Sequence, residues 1–191
     1  MAKRYDGGRL PMLSIDEAKT AAANVGIPDI MAPLSVFRTL LHHPKLAQAL
    51  SGLLSTLLLE PKLDARLREL IIMRIGWVTG SVYEWTQHWR IARGLGMSEE
   101  DIVGVRDWQS HAGYGPPEKA VLAATDETIR TGSISDATWE QCTRHVGDTG
   151  ALLEMVVAIG NWRLFSSLLR SLEIPLEDGV APWPPDGRVP R

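Results

Sequence analysis

The sequence predicts an all-α fold, one helical bundle followed by a proline-rich C-terminal tail, on three observations. Apolar residues recur at spacings of three and four in one segment after another, the period of a helix with one buried face. No stretch alternates apolar and polar residues long enough to build a sheet, and no internal repeat is visible. Helix starts and stops are marked in the chain itself by Ser, Asp and Pro before the periodic runs and by Gly after them. At 191 residues the chain suits one domain with a substantial core and is short for two. The expected division is an arm over 1–12, a helical domain over 13–174 and a tail over 175–191.

In order, Gly7, Gly8 and Pro11 make the arm loose, and Ser14 with Glu17 forms the capping-box pattern that opens a helix through about Asn24. Gly26 and Pro28 end it. Leu34, Phe37, Leu40 and Leu41 place the next helix over Met31 to His43, and Pro44 opens a third running to Leu59. His42 and His43 mark the turn between them; they either line a pocket or sit near a helix end for the sake of its dipole. Asp64 caps a helix to about Val78, Thr79-Gly80-Ser81 breaks it, and Ser81 to Leu95 forms the next. Ser98 starts a helix over Glu99 to Trp108, Pro116 and Pro117 one through Thr131, and Asp136 one through His145. Thr149 to Leu172 is long and strongly apolar, with Gly160 in its middle and Asn161 beside it as a candidate pocket amide. The prolines from Pro175 onward cannot continue a helix, while Trp183 among them is expected to pack on something.

The chemistry is concentrated between Leu63 and Ile102. Glu69 falls among small and apolar neighbours on one stripe of its helix. Glu84 and His88 stand four apart and therefore share a face of the following helix, expected to carry Trp85, Ile91, Ala92 and Leu95, with Thr86, Arg90 and Arg93 pointing elsewhere. Two carboxylates and an imidazole aimed at apolar surroundings are costly unless paired, and such burial moves pKa values toward neutrality, where proton transfer is efficient. Glu69 has Arg66, Arg74 and Arg163 as candidate partners in a purely structural role. Trp77, Trp85 and Trp89 flank this region, as core anchors or, for Trp85 together with Tyr83, as walls of a substrate pocket.

The R-E-L-x-I helix and the stretch YEWTQHWRIARGLGMSEEDI resemble the carboxymuconolactone decarboxylase and alkylhydroperoxidase D superfamily, clearly over about forty residues and plausibly over Leu34 to Leu172. The resemblance implies an alkylhydroperoxidase D-like helical bundle and homo-oligomers, trimers or hexamers. In the peroxidase branch a glutamate precedes two cysteines and a histidine by twelve, fifteen and nineteen positions. Counted from Glu69, those places hold Ser81, Glu84 and His88. Both cysteines are missing, so the disulfide-based peroxide chemistry of that branch cannot run here. Glu84 matches the decarboxylase branch instead. The resemblance thus implies a lyase or isomerase acting on a small carboxylated lactone or enolisable acid, as in aromatic-acid degradation. His88 moves the proton there, and Glu84 and Glu69 orient it; His42, Trp85, Tyr83 and Asn161 are candidates for contacting the substrate. Neither a metal nor an organic cofactor is needed when the substrate itself delocalises the developing charge.

Bulk properties narrow the alternatives. A net charge of −3 offers no field for a polyanion, so nucleic acid is not expected as a partner. The single cysteine excludes an internal disulfide and any cysteine-based zinc site. The N-terminal stretch lacks the apolar core of a signal peptide, and no apolar run reads as a membrane span, so a cytoplasmic protein is expected. Three rival readings remain: a metal site using Glu84, His88 and Glu69, a catalytically silent helical oligomer binding a small molecule or protein, and a peroxidase using Cys142.

Overall fold

The computed structural model describes residues 8–181 and Arg188. Among these the chain is all-α, with helices α1 (Ile15–Asn24), α2 (Ser35–Leu40), α3 (Pro44–Leu59), α4 (Ala65–Thr79), α5 (Val82–Gly94), α6 (Glu99–Gly104), α7 (Pro116–Thr131), α8 (Asp136–His145) and α9 (Thr149–Leu172), and a 3₁₀ turn at Val105–Asp107. The described residues form two compact units, one of 8–60 and 168–181, the other of 61–167 with Arg188.

In the first unit the capping box is built as the sequence predicts, with Ser14 accepting from the Glu17 amide and Glu17 reaching back to the Ser14 amide. The helix expected over Met31 to His43 is only α2. Pro33 disfavours the helical conformation at Ala32, residues 31–34 are turns and a bend, and the helix starts after Leu34. Leu34 offers no cap, and Glu177 from the start of the tail accepts the Ser35 amide instead, at 2.9 Å. The tail is therefore tied down as far as that residue; Trp183 lies outside the described residues. The arm is held too, since the Arg9 amide donates to the Leu172 carbonyl. Gly8, at φ +99°, lies so close to Glu173 that a Cβ would meet its carbonyl oxygen at 2.4 Å.

In the second unit α4 is the hub. Its Leu67, Leu70, Ile71, Ile72, Met73 and Ile75 are all buried, which is why it reads as apolar on most sides. Asp64 caps it, and Gly80 closes it in the left-handed conformation. At Gly76 the backbone of α5 comes so near that a Cβ would stand 3.2 Å from the Trp85 nitrogen. α6 stops at Gly104, shorter than expected, and the chain continues as the 3₁₀ turn. By length and a mean hydropathy of 1.3, α9 passes as a membrane span, contrary to the sequence reading. However, 44% of that window is buried inside the protein, including Met155, Ala158, Ile159 and Trp162.

Candidate active site

Three helices of the second unit bring the site together. α4 supplies Arg68 and Glu69, α5 supplies Glu84 and His88 one turn apart, and α9 supplies Trp162. The close approach at Gly76 sets α5 against α4. His88 Nδ1 lies 2.7 Å from Glu69 Oε2, and Arg68 Nε donates to Glu69 Oε1 at 3.0 Å. On the other side of the ring, Trp162 Nε1 donates to His88 Nε2 at 3.1 Å, the two rings meeting edge-on at 86°. Glu84 Oε2 stands 3.5 Å from the same Nε2. The array runs Arg68, Glu69, His88, then Trp162 and Glu84 together at Nε2.

This order decides what the groups can do. Glu69 on Nδ1 fixes the tautomer: Nδ1–H donates to the carboxylate, leaving the Nε2 lone pair to accept from Trp162. Burial by itself pulls the His88 imidazole down, but the Glu69 charge and hydrogen bond, with Glu84 adding, outweigh it and raise the ring above its ordinary range. Once protonated, Nε2 presents its N–H toward Glu84, and the Trp162 donor loses its acceptor. Glu84 is pushed up to about 7, chiefly by burial, with His88 pulling down and Glu69 pushing up. An imidazole raised above its ordinary range and a carboxyl raised to about 7 thus meet at one atom, Nε2.

The two ends of the array differ in access. The Glu69 side chain is fully buried, whereas those of His88 and Glu84 retain 8% and 7% exposure. What little exposure these three keep is on His88 and Glu84. The two carboxylates sit on opposite nitrogens of the ring and do not converge on a point; among the described residues no group of three His, Cys, Asp or Glu is placed to hold a metal ion.

The remaining sequence candidates fall as follows. Arg68, not Arg66, Arg74 or Arg163, pairs with Glu69; Arg66 binds Asp101 and Glu118, Arg74 binds Asp126, and Arg163 donates to the Thr128 carbonyl. Of the face predicted for α5, Ile91 and Leu95 are instead 39% and 49% exposed, and Thr86 is buried. Trp85 is fully buried, with Trp77 and Trp89 against it and the Arg106 guanidinium 5.2 Å from its centroid, so its faces are packed by protein. Tyr83 is buried on the same helix. Asn161 is buried next to Trp162, and neither atom of its amide has a hydrogen-bond partner. His42 belongs to the other unit, is exposed, and lies 3.0 Å from the Pro11 carbonyl, while His43 caps α3 by accepting from the Leu46 amide. Cys142 is buried against the Ala120 carbonyl, and burial pushes its thiol up to about 11, the opposite of what a peroxidatic cysteine needs. Trp162 and Arg68 are the site residues that sequence reasoning missed.

No curated protein matches this chain by sequence. The carboxymuconolactone decarboxylase family model matches residues 44–127, which carry Glu69, Glu84 and His88. Among solved structures, an uncharacterized peroxidase-related protein with an alkylhydroperoxidase AhpD core from Ralstonia eutropha JMP134 superposes with a TM-score of 0.77 at 17% identity, covering 94% of this chain and 100% of that one. The debrominase Bmp8, as a cysteine-to-alanine variant in complex with 2,3,4-tribromopyrrole, superposes at 0.74 with 16% identity over 93% of this chain and 95% of that one. A protein of unknown function from Agrobacterium tumefaciens, described as an antioxidant-defence AhpD, gives 0.64 at 23% identity over 71% and 94%. Over residues 44–127 the chain is similar in sequence to the carboxymuconolactone decarboxylase family, and over most of its length it has the fold of alkylhydroperoxidase D-like proteins.

Proposed function

We propose that the chain is a cofactor-independent lyase or isomerase that moves a proton with His88 on a small carboxylated lactone or enolisable acid. The observation that carries this reading is the asymmetric partnering of the imidazole: a buried carboxylate on Nδ1, and on Nε2 a neutral donor and a carboxyl that titrates near neutrality. In a decarboxylation the C–C bond to the carboxylate breaks, carbon dioxide leaves, and the electron pair remaining on carbon takes the proton from Nε2. In an isomerisation, Nε2 first accepts the proton from the α-carbon, and the acid returns it at another position. In both, Glu69 holds the ring and stabilises the imidazolium, and Glu84 exchanges the proton onward. Asn161 is a candidate for the substrate's carbonyl, supported by its unbonded buried amide.

The family match supports the decarboxylase side, and the halogenated pyrrole in the Bmp8 complex supports a small ring as the substrate. We read the chain as a cytoplasmic homo-oligomer, supported by an outward stripe of Leu153, Val156, Val157 and Leu164 on α9. A silent scaffold is the second reading, favoured by the near-complete burial of the trio. Carboxymuconolactone and related lactone acids, offered to wild type and His88→Ala with carbon dioxide and product followed by NMR, separate the two. Turnover lost in a folded variant supports the enzyme, and no turnover of any of these acids by wild type refutes it.

A further inference from the structure

Several helices are capped in the same way. Ser14, Asp64, Ser98 and Ser135 each accept from the amide three residues on. α5 has the same sequence pattern, Ser81-Val82-Tyr83-Glu84, which spells a capping box, and the box is not built. Ser81 makes no side-chain cap. Its Oγ is buried, in a residue 1% exposed, and has no hydrogen-bond partner. Glu84, at the third helical position, does not reach back either and stands beside His88 Nε2.

Both halves of the expected cap are therefore withheld from the mouth of a 13-residue helix, where the backbone dipole is positive. Leaving a buried hydroxyl unsatisfied costs stability, and such groups in a native protein call for a reason. Charge supplies one. Arg68 and Glu69 cancel, so whenever His88 carries its second proton beside a neutral Glu84, a single anion neutralises the cluster.

We infer that Ser81 Oγ and the first-turn amides of α5 form an anion subsite that takes the carboxylate of a small organic acid. The Ser81 hydroxyl donates to one carboxylate oxygen, and the helix mouth holds the charge. This deepens the proton-transfer reading, and rests on it for the fate of the bound acid but not for the binding itself.

The test is a titration of the full chain and of Ser81→Ala with acetate and with benzoate, following the Val82 and Glu84 amides by NMR. We expect both amides to shift in the wild type and the affinity to fall about tenfold in Ser81→Ala, the loss of one hydrogen bond to a charged group. The variant melts no lower than the wild type, because Ser81 makes no bond to lose. Binding of neither acid by the wild type, or equal affinity in the variant, overturns the subsite. So does a variant that binds normally but melts early, as Ser98→Ala is expected to do, for then Ser81 is only a cap. Failure of the proton-transfer reading looks different: binding stays dependent on Ser81 while His88→Gln changes no turnover.

Discussion

Replacing Glu84 by Gln keeps the shape of the side chain and removes its titration. In the folded protein the Glu84 carboxyl is raised from 4.5 to about 7, mainly by burial. At about 1.4 kcal/mol per pKa unit, that rise amounts to about 3 kcal/mol. The sign follows from proton counting: between these two pH values the folded state holds a proton that the unfolded state has released, so stability falls as pH rises. The contribution is fully present below about pH 4.5 and is lost as pH rises through about 7. Glu84→Gln escapes that loss. Urea unfolding of wild type and variant across this range should therefore show a difference that starts at a constant offset under acid conditions. It then grows by about 3 kcal/mol in the variant's favour by about pH 8. A difference that does not change with pH, or that favours the wild type as pH rises, refutes the claim that Glu84 is held as a near-neutral acid beside Nε2.

Glu69→Gln removes the carboxylate that Arg68 and His88 share, and should cost about 3–5 kcal/mol in urea unfolding, as breaking a buried pair does. In the same variant the His88 ring should titrate lower by NMR, since burial is left with less to oppose it. Trp162→Phe keeps the edge-on ring but deletes the donor to Nε2. His88 should titrate higher, with about 1 kcal/mol of stability lost. Gly76→Ala would put a methyl 3.2 Å from the Trp85 nitrogen, and the overpacking of about 1–3 kcal/mol should exceed the gain in helix propensity of about 1 kcal/mol, giving a lower melting temperature.

Local grammar was the most legible part of the sequence. The Ser14–Glu17 box, Pro44, Asp64, Ser98 and Ser135 open helices where the residues say they should, because a cap is a bond between near neighbours. The helix of Met31 to His43 is shorter than its apolar period because Pro33 disfavours the helical conformation at Ala32, whatever the period says. In the site, Glu84 and His88 follow from helical spacing alone. Glu69 was placed by its apolar stripe and the family spacing, and the structure adds that it takes Nδ1. Trp162 lies 74 positions from His88, and no spacing rule reaches that far. Arg68 sits next to Glu69 in sequence, where side chains on a helix ordinarily diverge, so more distant arginines looked better placed. Ile91 and Leu95 continue the apolar pattern of α5 into solvent, while Thr86 turns inward, because the packing of α5 is set by neighbours that periodicity does not know.

Everything proposed for the reaction depends on His88 Nε2 carrying the proton. Carboxymuconolactone turned over in D2O by wild type and by His88→Gln tests this most directly, with carbon dioxide release and deuterium in the product followed by NMR. The wild type should release carbon dioxide and place one solvent deuterium on the carbon α to the lactone carbonyl, where the displaced electron pair ends, and a folded His88→Gln should do neither. Release and labelling at the wild-type rate in His88→Gln would contradict the role given to His88.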